Sequence, residues 1–434
     1  MKSLLDNIKT KKAKIGVIGL GYVGLPLVSN FLKNGFEVIG IDVDHAKIKS
    51  LKSGKSYIAH IDSSFIKDSI DNNLKVSSDI SSVSKLDIII LCLPTPLNKN
   101  KEPDMSFVFN TINELIPYLR RGQALSLEST TYPGTTSEDV FGMLQEKGLV
   151  AGKDINLIYS PEREDPGNAK FNTATIPKIV SGHTESCLRI GEALYSSIVD
   201  TVVPVSSTQT AELTKLLENI YRAVNIGLVN EMKIVSEKLG IDIYEVIDAA
   251  STKPFGFTPY YPGPGIGGHC IPIDPFYLTW KAKQHGVHTK FIELAGEINN
   301  SMPLRALQKV EEVLLGKNLE ISSSKILLLG MAYKKDVDDM RESPSISILQ
   351  LLEDKGAEVN YSDPFIPVFP DTRKYEFNRG SLEINAQTLQ DQDLVILCTD
   401  HTQFDYEFIR KESTEIIDTR GVYRGQLQAN IHRA

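Results

Sequence analysis

The chain has 434 residues, of which 41% are hydrophobic and 24% charged, and its formal net charge is −8. This length exceeds one ordinary hydrophobic core and indicates two or three domains of a globular protein. The negative charge argues against a nucleic-acid-binding surface, so an anionic ligand must be held by a local site. No apolar run reaches the roughly 18 residues that span a bilayer. The polar N-terminal stretch also lacks the apolar core of a secretion signal, so we expect a cytoplasmic protein with no membrane segment.

From Lys14 the chain alternates between apolar runs typical of buried strands and amphipathic stretches typical of helices. "KIGVIGL" predicts a strand, "LPLVSNFLKNG" a helix with Pro26 in its first turn and Gly35 beyond its end, and "EVIGIDVD" the next strand. "DIIILCLP" and "INLIYSP" predict later strands. Strands separated by helices indicate right-handed βαβ units and a parallel sheet, which we assign to a domain over residues 1–205.

The pattern becomes helical over residues 206–310. Between Thr210 and Gly240 apolar residues recur at helical spacing, which predicts one long helix. Its apolar residues are too many for one loop to cover, so we expect a homodimer or a higher homo-oligomer. Over residues 311–434, "SKILLLG" and "DLVILCTD" repeat the outline of the first strands. The sequence therefore predicts an α/β protein with two doubly wound Rossmann-like domains joined by a central α-helical dimerisation domain.

The first glycine-rich loop, Gly19-x-Gly21-x-x-Gly24, lies between a predicted strand and a predicted helix. Glycines with this spacing allow a tight turn and let backbone N–H groups approach a pyrophosphate beside the positive end of the helix dipole. Asp42 ends the next strand, 18 residues after Gly24. Its carboxylate can accept hydrogen bonds from ribose hydroxyls and repels a 2′-phosphate, which favours NAD over NADP.

A second glycine-rich stretch, Gly263-x-Gly265-x-x-Gly268, has the same spacing, but four prolines lie between Lys253 and Gly265 and no strand leads into it. This context disfavours a second dinucleotide loop. Such a backbone can nevertheless present N–H groups to a diphosphate while leaving Cys270 exposed beside it.

The cysteines have no paired spacing and predict neither a disulfide framework nor a metal site. Cys92 and Cys398 lie in apolar runs and are predicted to be buried strand residues. Cys270 is flanked by glycines and a carboxylate, and is either a structural cysteine in a tight loop or a nucleophile. A nucleophilic thiol needs nearby positive charge, for which His269 and Lys215 are candidates.

Two further polar groups stand out. Lys215 and Asn219 occupy positions i and i+4 of the long predicted helix, with Glu212 one turn earlier, so the three form either a functional stripe or an ordinary solvated face. Glu162 follows a predicted strand within "YSPEREDPGN". Open α/β sheets bind ligands at that end of their strands, although an ordinary loop acid has the same pattern.

Together these motifs resemble the UDP-glucose/GDP-mannose dehydrogenase family from about Lys14 to the C-terminus. The motifs are "GVIGLGYVGLPL", "ESTTYPGT", "SPEREDPGN", "AELTKLLENIYRAVNIGLVNE", "GPGIGGHCIPIDP", "YKKDVDDMRESPS" and "DTRGVY". The resemblance implies an NAD-binding N-terminal domain, a helical dimerising centre and a UDP-sugar-binding C-terminal domain. It also implies oxidation of the C6 alcohol of a UDP-hexose to a carboxylate in two steps, with two NAD⁺.

The resemblance further implies covalent catalysis, which lets one site perform both oxidations. Cys270 would capture the aldehyde as a thiohemiacetal, whose oxidation gives a thioester that water hydrolyses. Glu162 would be the acid/base of the thioester stage.

Lys215 would stabilise oxyanions with help from the Asn219 amide. Asp274 and Thr130 match the water-positioning groups of the family. Either Lys215 or a water held by Asp274 would deprotonate the C6 hydroxyl.

The positions that match ligand contacts of the family form two sets. Those for NAD are Gly19, Gly21, Tyr22, Val23, Gly24, Asp42, Lys47, Pro94, Thr95, Thr130 and Arg341. Those for the UDP-sugar are Glu162, Arg163, Lys215, Asn219, Tyr261, Gly263, Gly265, Gly267, Tyr333, Lys334 and Arg420. The cations at 334 and 420 are suited to balance a diphosphate.

Two departures from the UDP-glucose pattern concern the substrate. His269 stands where many UDP-glucose enzymes have serine, and "SPEREDPGN" replaces their corresponding string. Both changes resemble the N-acetylhexosamine branch, especially bacterial UDP-N-acetylglucosamine 6-dehydrogenases of O-antigen synthesis. We therefore expect UDP-N-acetylglucosamine as the substrate, for surface polysaccharide synthesis, with UDP-N-acetylmannosamine or UDP-glucose as alternatives. More distant alternatives are a two-electron NAD dehydrogenase that needs no Cys270 and a non-enzymatic NAD-binding protein.

Overall fold

The computed structural model of the chain describes residues 2–58, 61–163, 174–369, 379–426 and 428–434. The chain divides into two compact units, a first unit of Met1–Glu218 with Phe276–Val287 and a second unit of Asn219–Pro275 with His288–Ala434. Within the described ranges, each helix is too short or too polar to cross a lipid bilayer.

The elements follow the alternation that the sequence predicts. The strands are β1 (Lys14–Ile18), β2 (Glu37–Ile41), β3 (Leu74–Ser77), β4 (Ile88–Leu91), β5 (Ala124–Leu127), β6 (Asn156–Tyr159), β7 (Lys178–Gly182), β8 (Val202–Pro204), β9 (Lys325–Leu329), β10 (Glu358–Ser362), β11 (Leu394–Leu397), β12 (Ile416–Asp418) and β13 (Ile431–Arg433). The α-helices are α1 (Lys2–Lys9), α2 (Gly24–Lys33), α3 (His45–Lys52), α4 (Ser63–Asn72), α5 (Ser106–Leu115), α6 (Phe141–Glu146), α7 (Glu185–Tyr195), α8 (Thr208–Leu239), α9 (Ile243–Ser251), α10 (Asp274–Gln284), α11 (Lys290–Gly316), α12 (Pro344–Asp354), α13 (Ala386–Gln390) and α14 (Tyr406–Glu412). A π-helical turn over Thr135–Val140 precedes α6.

In the described part of the first unit, the strands form one sheet in the order β3-β2-β1-β4-β5-β6-β7-β8. The central strands are buried along their length, as expected of a sheet covered by helices on both faces. Neighbouring strands are parallel, as predicted, except that β6 and β7 are antiparallel. An antiparallel neighbour needs no crossover and enters the sheet where the preceding strand leaves it. Lys178, the first residue of β7, therefore lies at the carboxyl end of β6.

The second unit contains a smaller parallel sheet, in the order β10-β9-β11-β12-β13 over its described residues. It repeats the start of the first sheet closely. Gly19 follows β1 with φ +91°, and Gly330 follows β9 with φ +88°. A Cβ on Gly19 would lie 2.3 Å from the Cys92 carbonyl oxygen, and one on Gly330 would lie 2.6 Å from the Thr399 carbonyl oxygen. The prediction of two Rossmann-like domains is therefore confirmed. The predicted likeness between their first strands and turns is confirmed as well.

The two sheets differ at the acidic residue that follows the second strand of each. Asp42, just past β2, accepts hydrogen bonds from the N–H groups of Leu20 and Asp44 and from Lys47. Asp363, just past β10, accepts hydrogen bonds from the N–H groups of Met331 and Ala332 at 2.6 and 2.9 Å. His401 Nε2 lies 3.1 Å from the same carboxylate, and both side chains are fully buried. Asp363 is thus enclosed by protein at the position where a Rossmann domain meets a ribose.

The long helix is present as α8, Thr208–Leu239, close to its predicted limits. One set of its apolar side chains is exposed in the single chain, namely Leu213, Leu217, Tyr221, Leu228, Met232, Val235 and Leu239.

The predictions that Cys92 and Cys398 are buried hold in part. Cys398 is buried, as predicted, but Cys92 lies one residue beyond β4 and is only partly buried, because it borders the glycine loop after β1.

Candidate active site

The loop between β1 and α2 is built for close approach of a ligand on one side. A Cβ on Gly24 would lie 1.8 Å from the carbonyl oxygen of Gly19, so the turn is too tight for any other residue. A Cβ on Gly21 would meet no atom within 4 Å, so this glycine faces open space. The N-cap residue of α2, Val23, makes no side-chain capping hydrogen bond. An open glycine beside an uncapped helix start fits a bound pyrophosphate.

Asp42 is held in place beside this loop. Its Oδ2 accepts hydrogen bonds from the Leu20 N–H at 2.8 Å and from Lys47 Nζ at 3.3 Å. Its Oδ1 accepts from the Asp44 N–H at 2.9 Å. A carboxylate has about four acceptor positions, so capacity for a ribose hydroxyl remains. Two of the residues predicted to bind NAD, Asp42 and Lys47, are therefore brought together.

The loops after β4 and β5 are joined near the same sheet edge. The Ser129 hydroxyl oxygen accepts a hydrogen bond from the Leu93 N–H at 2.9 Å, one residue from each of Pro94 and Thr130. Thr95 is buried, and its carbonyl oxygen accepts from the Tyr277 hydroxyl at 2.9 Å. The structure thus gathers the predicted positions of the first unit at the carboxyl edge of its sheet.

Arg341 was also predicted to serve NAD, and it belongs to the second unit. Its guanidinium donates to the Asp339 carboxylate at 2.7–3.0 Å. Its carbonyl oxygen accepts a hydrogen bond from the Gly268 N–H at 2.9 Å. Within its unit, Arg341 therefore braces the second glycine-rich loop.

Glu162 and Arg163 follow β6, while the remaining residues of "SPEREDPGN", 164–168, lie outside the described residues. The Glu162 N–H donates to the Glu128 carbonyl oxygen at 3.4 Å. Arg163 donates to the Glu218 carboxylate through Nε at 3.0 Å and Nη2 at 2.6 Å. A small cleft opens here, lined by Val23, Leu27, Glu128, Pro161, Glu162, Arg163, Ile176, Pro177 and Lys178.

The polar stripe at the start of α8 is buried, so the alternative of a solvated face is wrong. Lys215 and Asn219 are 6% and 9% exposed, and Glu212 is fully buried. The Glu212 carboxylate accepts hydrogen bonds from the N–H groups of Gly134 and Thr136 at 2.7 and 2.9 Å. Burial raises the pKa of Glu212 to about 7, against the lowering effect of these donors.

In the second unit, Cys270 begins a turn that leads into α10. Its carbonyl oxygen accepts hydrogen bonds from the N–H groups of Ile273 and Asp274 at 3.1 and 2.8 Å. Asp274 is 1% exposed, and its Oδ2 accepts from the Asn219 side-chain amide at 2.6 Å. Asn219, which lies in a distant segment of the sequence, is therefore brought to the turn that Cys270 and Asp274 form.

The second glycine-rich loop packs tightly against its own unit. A Cβ on Gly267 would lie 2.6 Å from the Tyr333 side chain, and one on Gly263 would lie 2.8 Å from Arg420 Nη1. Gly265 and Gly268 have positive φ values of +135° and +88°. The glycines are thus needed for contact with the loops that carry Tyr333 and Arg420.

Three other predicted positions surround this loop. Tyr261 is 43% exposed, and its hydroxyl donates to Asp248 at 2.6 Å. Its ring stacks against Tyr244 with centroids 6.3 Å apart. Lys334 follows Tyr333 and is partly buried. Arg420 Nε donates to the Cys398 carbonyl oxygen at 2.6 Å.

Sequence reasoning missed Lys233, a buried cation on α8. Its Nζ lies 3.4 Å from the Thr419 carbonyl oxygen, which also accepts from the Tyr244 hydroxyl at 3.1 Å. Burial lowers the pKa of Lys233 to about 8. Asn230, one turn earlier, accepts from the Gly263 N–H at 3.0 Å. The sequence contained a signal for this site. Asn230 lies three helical turns after Asn219, on the same side of α8, so the polar stripe continues toward Lys233.

The fold and the loop after β1 define a protein with a dinucleotide-binding Rossmann domain. The models of the NAD-binding, central and UDP-binding domains of the UDP-glucose/GDP-mannose dehydrogenase family match residues 13–199, 209–301 and 327–425. The chain belongs to this family and is an NAD-dependent nucleotide-sugar dehydrogenase.

Relatives and solved structures cover nearly the whole chain. Protein CapL of Staphylococcus aureus is 34% identical over 94% of this chain and 96% of its own. The UDP-N-acetyl-D-glucosamine 6-dehydrogenase of Pseudomonas aeruginosa is 31% identical over 91% of this chain and 92% of its own. The structure of the UDP-D-ManNAc dehydrogenase of Pyrococcus horikoshii matches with a TM-score of 0.86 and 31% identity, covering 97% of this chain and 98% of that one.

Proposed function

We propose that the protein oxidises the C6 hydroxymethyl group of UDP-N-acetylglucosamine to a carboxylate, giving UDP-N-acetylglucosaminuronate for surface polysaccharide synthesis. The observation that carries this proposal is the turn from Cys270 to Asp274 with the Asn219 amide 2.6 Å from the Asp274 carboxylate. A two-electron dehydrogenase does not require a cysteine beside a buried, oriented carboxylate. A four-electron dehydrogenase needs both, because it must capture an aldehyde and later admit water.

We assign the chemistry of the sulfur to Cys270. When bound, NAD⁺ accepts the hydride that leaves C6 in each of the two oxidations. Between them, the thiol adds to the aldehyde carbon, a C–S bond forms and the carbonyl oxygen takes a proton, giving a thiohemiacetal. Its oxidation gives a thioester. Water then adds to the thioester carbon, the C–S bond breaks, and the carboxylate leaves while the thiol is restored.

We assign the supporting roles from residue chemistry. The buried Lys215 cation stabilises negative charge on the C6 oxygen, with help from Asn219. Asp274 and Thr130 position water, and Glu162 acts as acid/base in the thioester stage. The proton of the C6 hydroxyl leaves to Lys215 or to a water held by Asp274.

We propose that the chain performs these tasks in three domains, over residues 1–205, 206–310 and 311–434. The open face at Gly21 and the acceptor capacity of Asp42 support binding of NAD to the first. The cations Lys334 and Arg420, near the glycine-rich loop of the second unit, support binding of the UDP diphosphate there.

The substrate assignment within the family favours the glucosamine epimer. His269 and "SPEREDPGN" support it, as does the P. aeruginosa relative named as a UDP-N-acetyl-D-glucosamine 6-dehydrogenase. The likeness to the P. horikoshii UDP-D-ManNAc dehydrogenase favours UDP-N-acetylmannosamine as a second candidate.

A substrate panel tests the proposal. Purified protein is given UDP-glucose, UDP-N-acetylglucosamine, UDP-N-acetylgalactosamine or UDP-N-acetylmannosamine with excess NAD⁺, and the NADH and uronate formed are counted. The proposal expects the highest kcat/KM with UDP-N-acetylglucosamine and two NADH for each sugar consumed. One NADH per sugar would indicate a two-electron enzyme, and a preference for the mannosamine epimer would establish the second candidate.

We also propose that the protein is a homodimer, or a higher homo-oligomer, formed through α8. Its exposed apolar side chains recur at intervals of three, four or seven residues and so lie along one side of the helix. A stripe of this kind is covered most simply by the same stripe of a second copy.

A further inference from the structure

Two acidic residues flank Lys215 on α8 at equal spacing. Glu212 lies three residues before Lys215 and Glu218 three residues after it. Residues three apart on a helix are neighbours on its surface, so the three side chains share one side of α8. Each of the two carboxylates holds a different loop of the first unit.

Glu212 holds the loop that follows β5. Besides accepting from the N–H groups of Gly134 and Thr136, its Oε1 accepts from the Thr136 hydroxyl at 2.8 Å. Three donors from one short segment fix the backbone of that segment against the helix. Thr130, the proposed water-positioning residue, lies four residues before Gly134. The orientation of the Thr130 loop relative to Lys215 therefore depends on Glu212.

Glu218 holds the segment that follows β6. Its carboxylate receives two parallel hydrogen bonds from Arg163, the residue next to Glu162. Two-point contacts between a guanidinium and a carboxylate fix direction as well as distance. Arg163 Nη1 also donates to the Pro177 carbonyl oxygen at 2.7 Å, so its planar group is held on two sides.

The other side of Glu162 is anchored by a buried ion pair. The Glu128 carbonyl oxygen accepts from the Glu162 N–H, and the Glu128 carboxylate lies 2.6 Å from Lys178 Nζ. The Tyr195 hydroxyl donates to the same carboxylate at 2.6 Å. Glu128 and Lys178 are 1% and 7% exposed. Glu162 thus lies between a rigid buried anchor and the Arg163–Glu218 contact with α8.

We propose that Glu212 and Glu218 are positioning residues that set the Thr130 loop and Glu162 against Lys215, and that Arg163 acts through Glu218. This inference rests on the proposed function, since it assumes that Thr130, Glu162 and Lys215 take part in the thioester stage. A partly exposed ion pair such as Arg163–Glu218 contributes little to stability. A displacement of about 1 Å in a catalytic group lowers a rate by about 100-fold. Loss of Glu218 therefore affects turnover far more than folding.

The test compares Glu218→Gln and Glu212→Gln with a matched control, Glu185→Gln. The control removes an exposed Glu–Arg pair, Arg189–Glu185, on α7. Each protein is assayed with the UDP-sugar that the wild type oxidises fastest, for kcat, KM, melting temperature and the mass of the peptide that contains Cys270. We expect kcat to fall by tenfold to 100-fold in both variants, with KM for the UDP-sugar nearly unchanged and a sugar adduct accumulating on Cys270. The control should match the wild type throughout.

A double-mutant cycle with Arg163→Gln separates the two roles open to Arg163. If it acts through Glu218, the double variant is no slower than either single variant, because one contact is lost in all three. If Arg163 binds the UDP-sugar, its variant raises KM, Glu218→Gln does not, and the losses add, which would overturn the inference. Glu218→Gln with wild-type kcat and no adduct would overturn it as well.

The outcomes distinguish this inference from the proposed function. A wild type that does not release two NADH per sugar refutes the proposed function directly. A wild type that does so, together with variants that match Glu185→Gln, refutes only the positioning roles. If Glu212→Gln does not fold, Glu218→Gln and the cycle decide the question, because Glu218 is partly exposed.

Discussion

The side-chain amide of Asn219 donates to the carboxylate of Asp274 at 2.6 Å, across 55 residues of sequence. The contact is buried and lies beside the turn that begins at Cys270. It orients a carboxylate that would otherwise be costly to bury. Replacing Asn219 with alanine leaves the carboxylate without this donor, so we expect a loss of about 1–3 kcal/mol in the free energy of unfolding.

The same Asn219→Ala variant should lose activity, because the carboxylate that we propose to position water loses a donor that orients it. We expect kcat to fall at least tenfold, measured by NADH release alongside denaturant unfolding. Asn225→Ala, which removes an exposed amide of the same helix, is the control. Equal stability of the two variants would contradict the role of the Asn219–Asp274 contact.

Replacing Cys270 with serine should abolish release of free uronate. Serine cannot match the thiolate as a nucleophile at neutral pH, so the reaction stalls at the aldehyde or at a trapped ester. The check is a product assay that counts uronate and NADH. Cys187→Ala, which removes a buried thiol from α7, should retain two NADH per sugar. Free uronate formed by Cys270→Ser at the wild-type rate would refute covalent catalysis.

The choice of NAD over NADP should depend on Asp42. Asp42→Asn removes the charge that repels a 2′-phosphate and leaves Lys47, now 3.3 Å from the carboxylate, without an acidic partner there. We expect the ratio of kcat/KM for NADP to that for NAD to rise by about 10- to 100-fold, the range for one charged hydrogen bond. Asp44→Asn, an acid at the N-cap of α3, should leave the ratio unchanged. An unchanged ratio in Asp42→Asn would remove the basis for the cofactor preference.

Glu212 should make stability depend on pH. Its pKa is raised by burial from 4.5 to about 7, so the folded protein keeps a proton that the unfolded chain loses between these values. Its stabilising contribution is complete below pH 4.5 and is lost as the pH rises through 7. The free energy of unfolding of the wild type, relative to that of Glu212→Gln, should therefore fall by about 3 kcal/mol across this range. Denaturant unfolding at several pH values measures the difference, and a constant difference would contradict the titration.

The exposed stripe of α8 should determine the oligomeric state. We expect Leu217→Glu combined with Leu228→Glu to shift the protein toward monomer in light scattering, because two charges cannot be buried unpaired in an apolar interface. Leu315→Glu changes a leucine of α11 that is 75% exposed and should leave the wild-type mass unchanged. A wild type that is monomeric at micromolar concentration would contradict the proposed dimer.

The sequence predicted those features that depend on local pattern. Apolar periodicity located the strands around both sheets and the long helix, predicted over Thr210 to Gly240 and found at Thr208–Leu239. Strand and helix context also distinguished the two glycine loops, because the first lies between β1 and α2 and the second follows no strand. These signals survive in one sequence because burial of one face repeats every two or 3.6 residues.

The remaining features depend on contacts between distant segments. Nothing local in "SPER" shows that Arg163 meets Glu218, or that Glu128 meets Lys178 across the end of β6. The antiparallel direction of β7 was missed for the same reason, since strand direction follows from the path of the connection. The second glycine loop was expected to serve a ligand, and its tight packing on Tyr333 could be seen only in three dimensions.

The enclosed carboxylate of Asp363 has a consequence for how two nucleotides share one molecule. Two similar Rossmann-like domains could each bind the nucleotide of the other. NAD bound to the second domain would then compete with the sugar nucleotide. His401 and the backbone N–H groups of Met331, Ala332, Phe365 and Ile366 already occupy the acceptor positions of Asp363, so this carboxylate is taken by the protein itself. The two sheets therefore share one scaffold while they present different groups to a bound nucleotide.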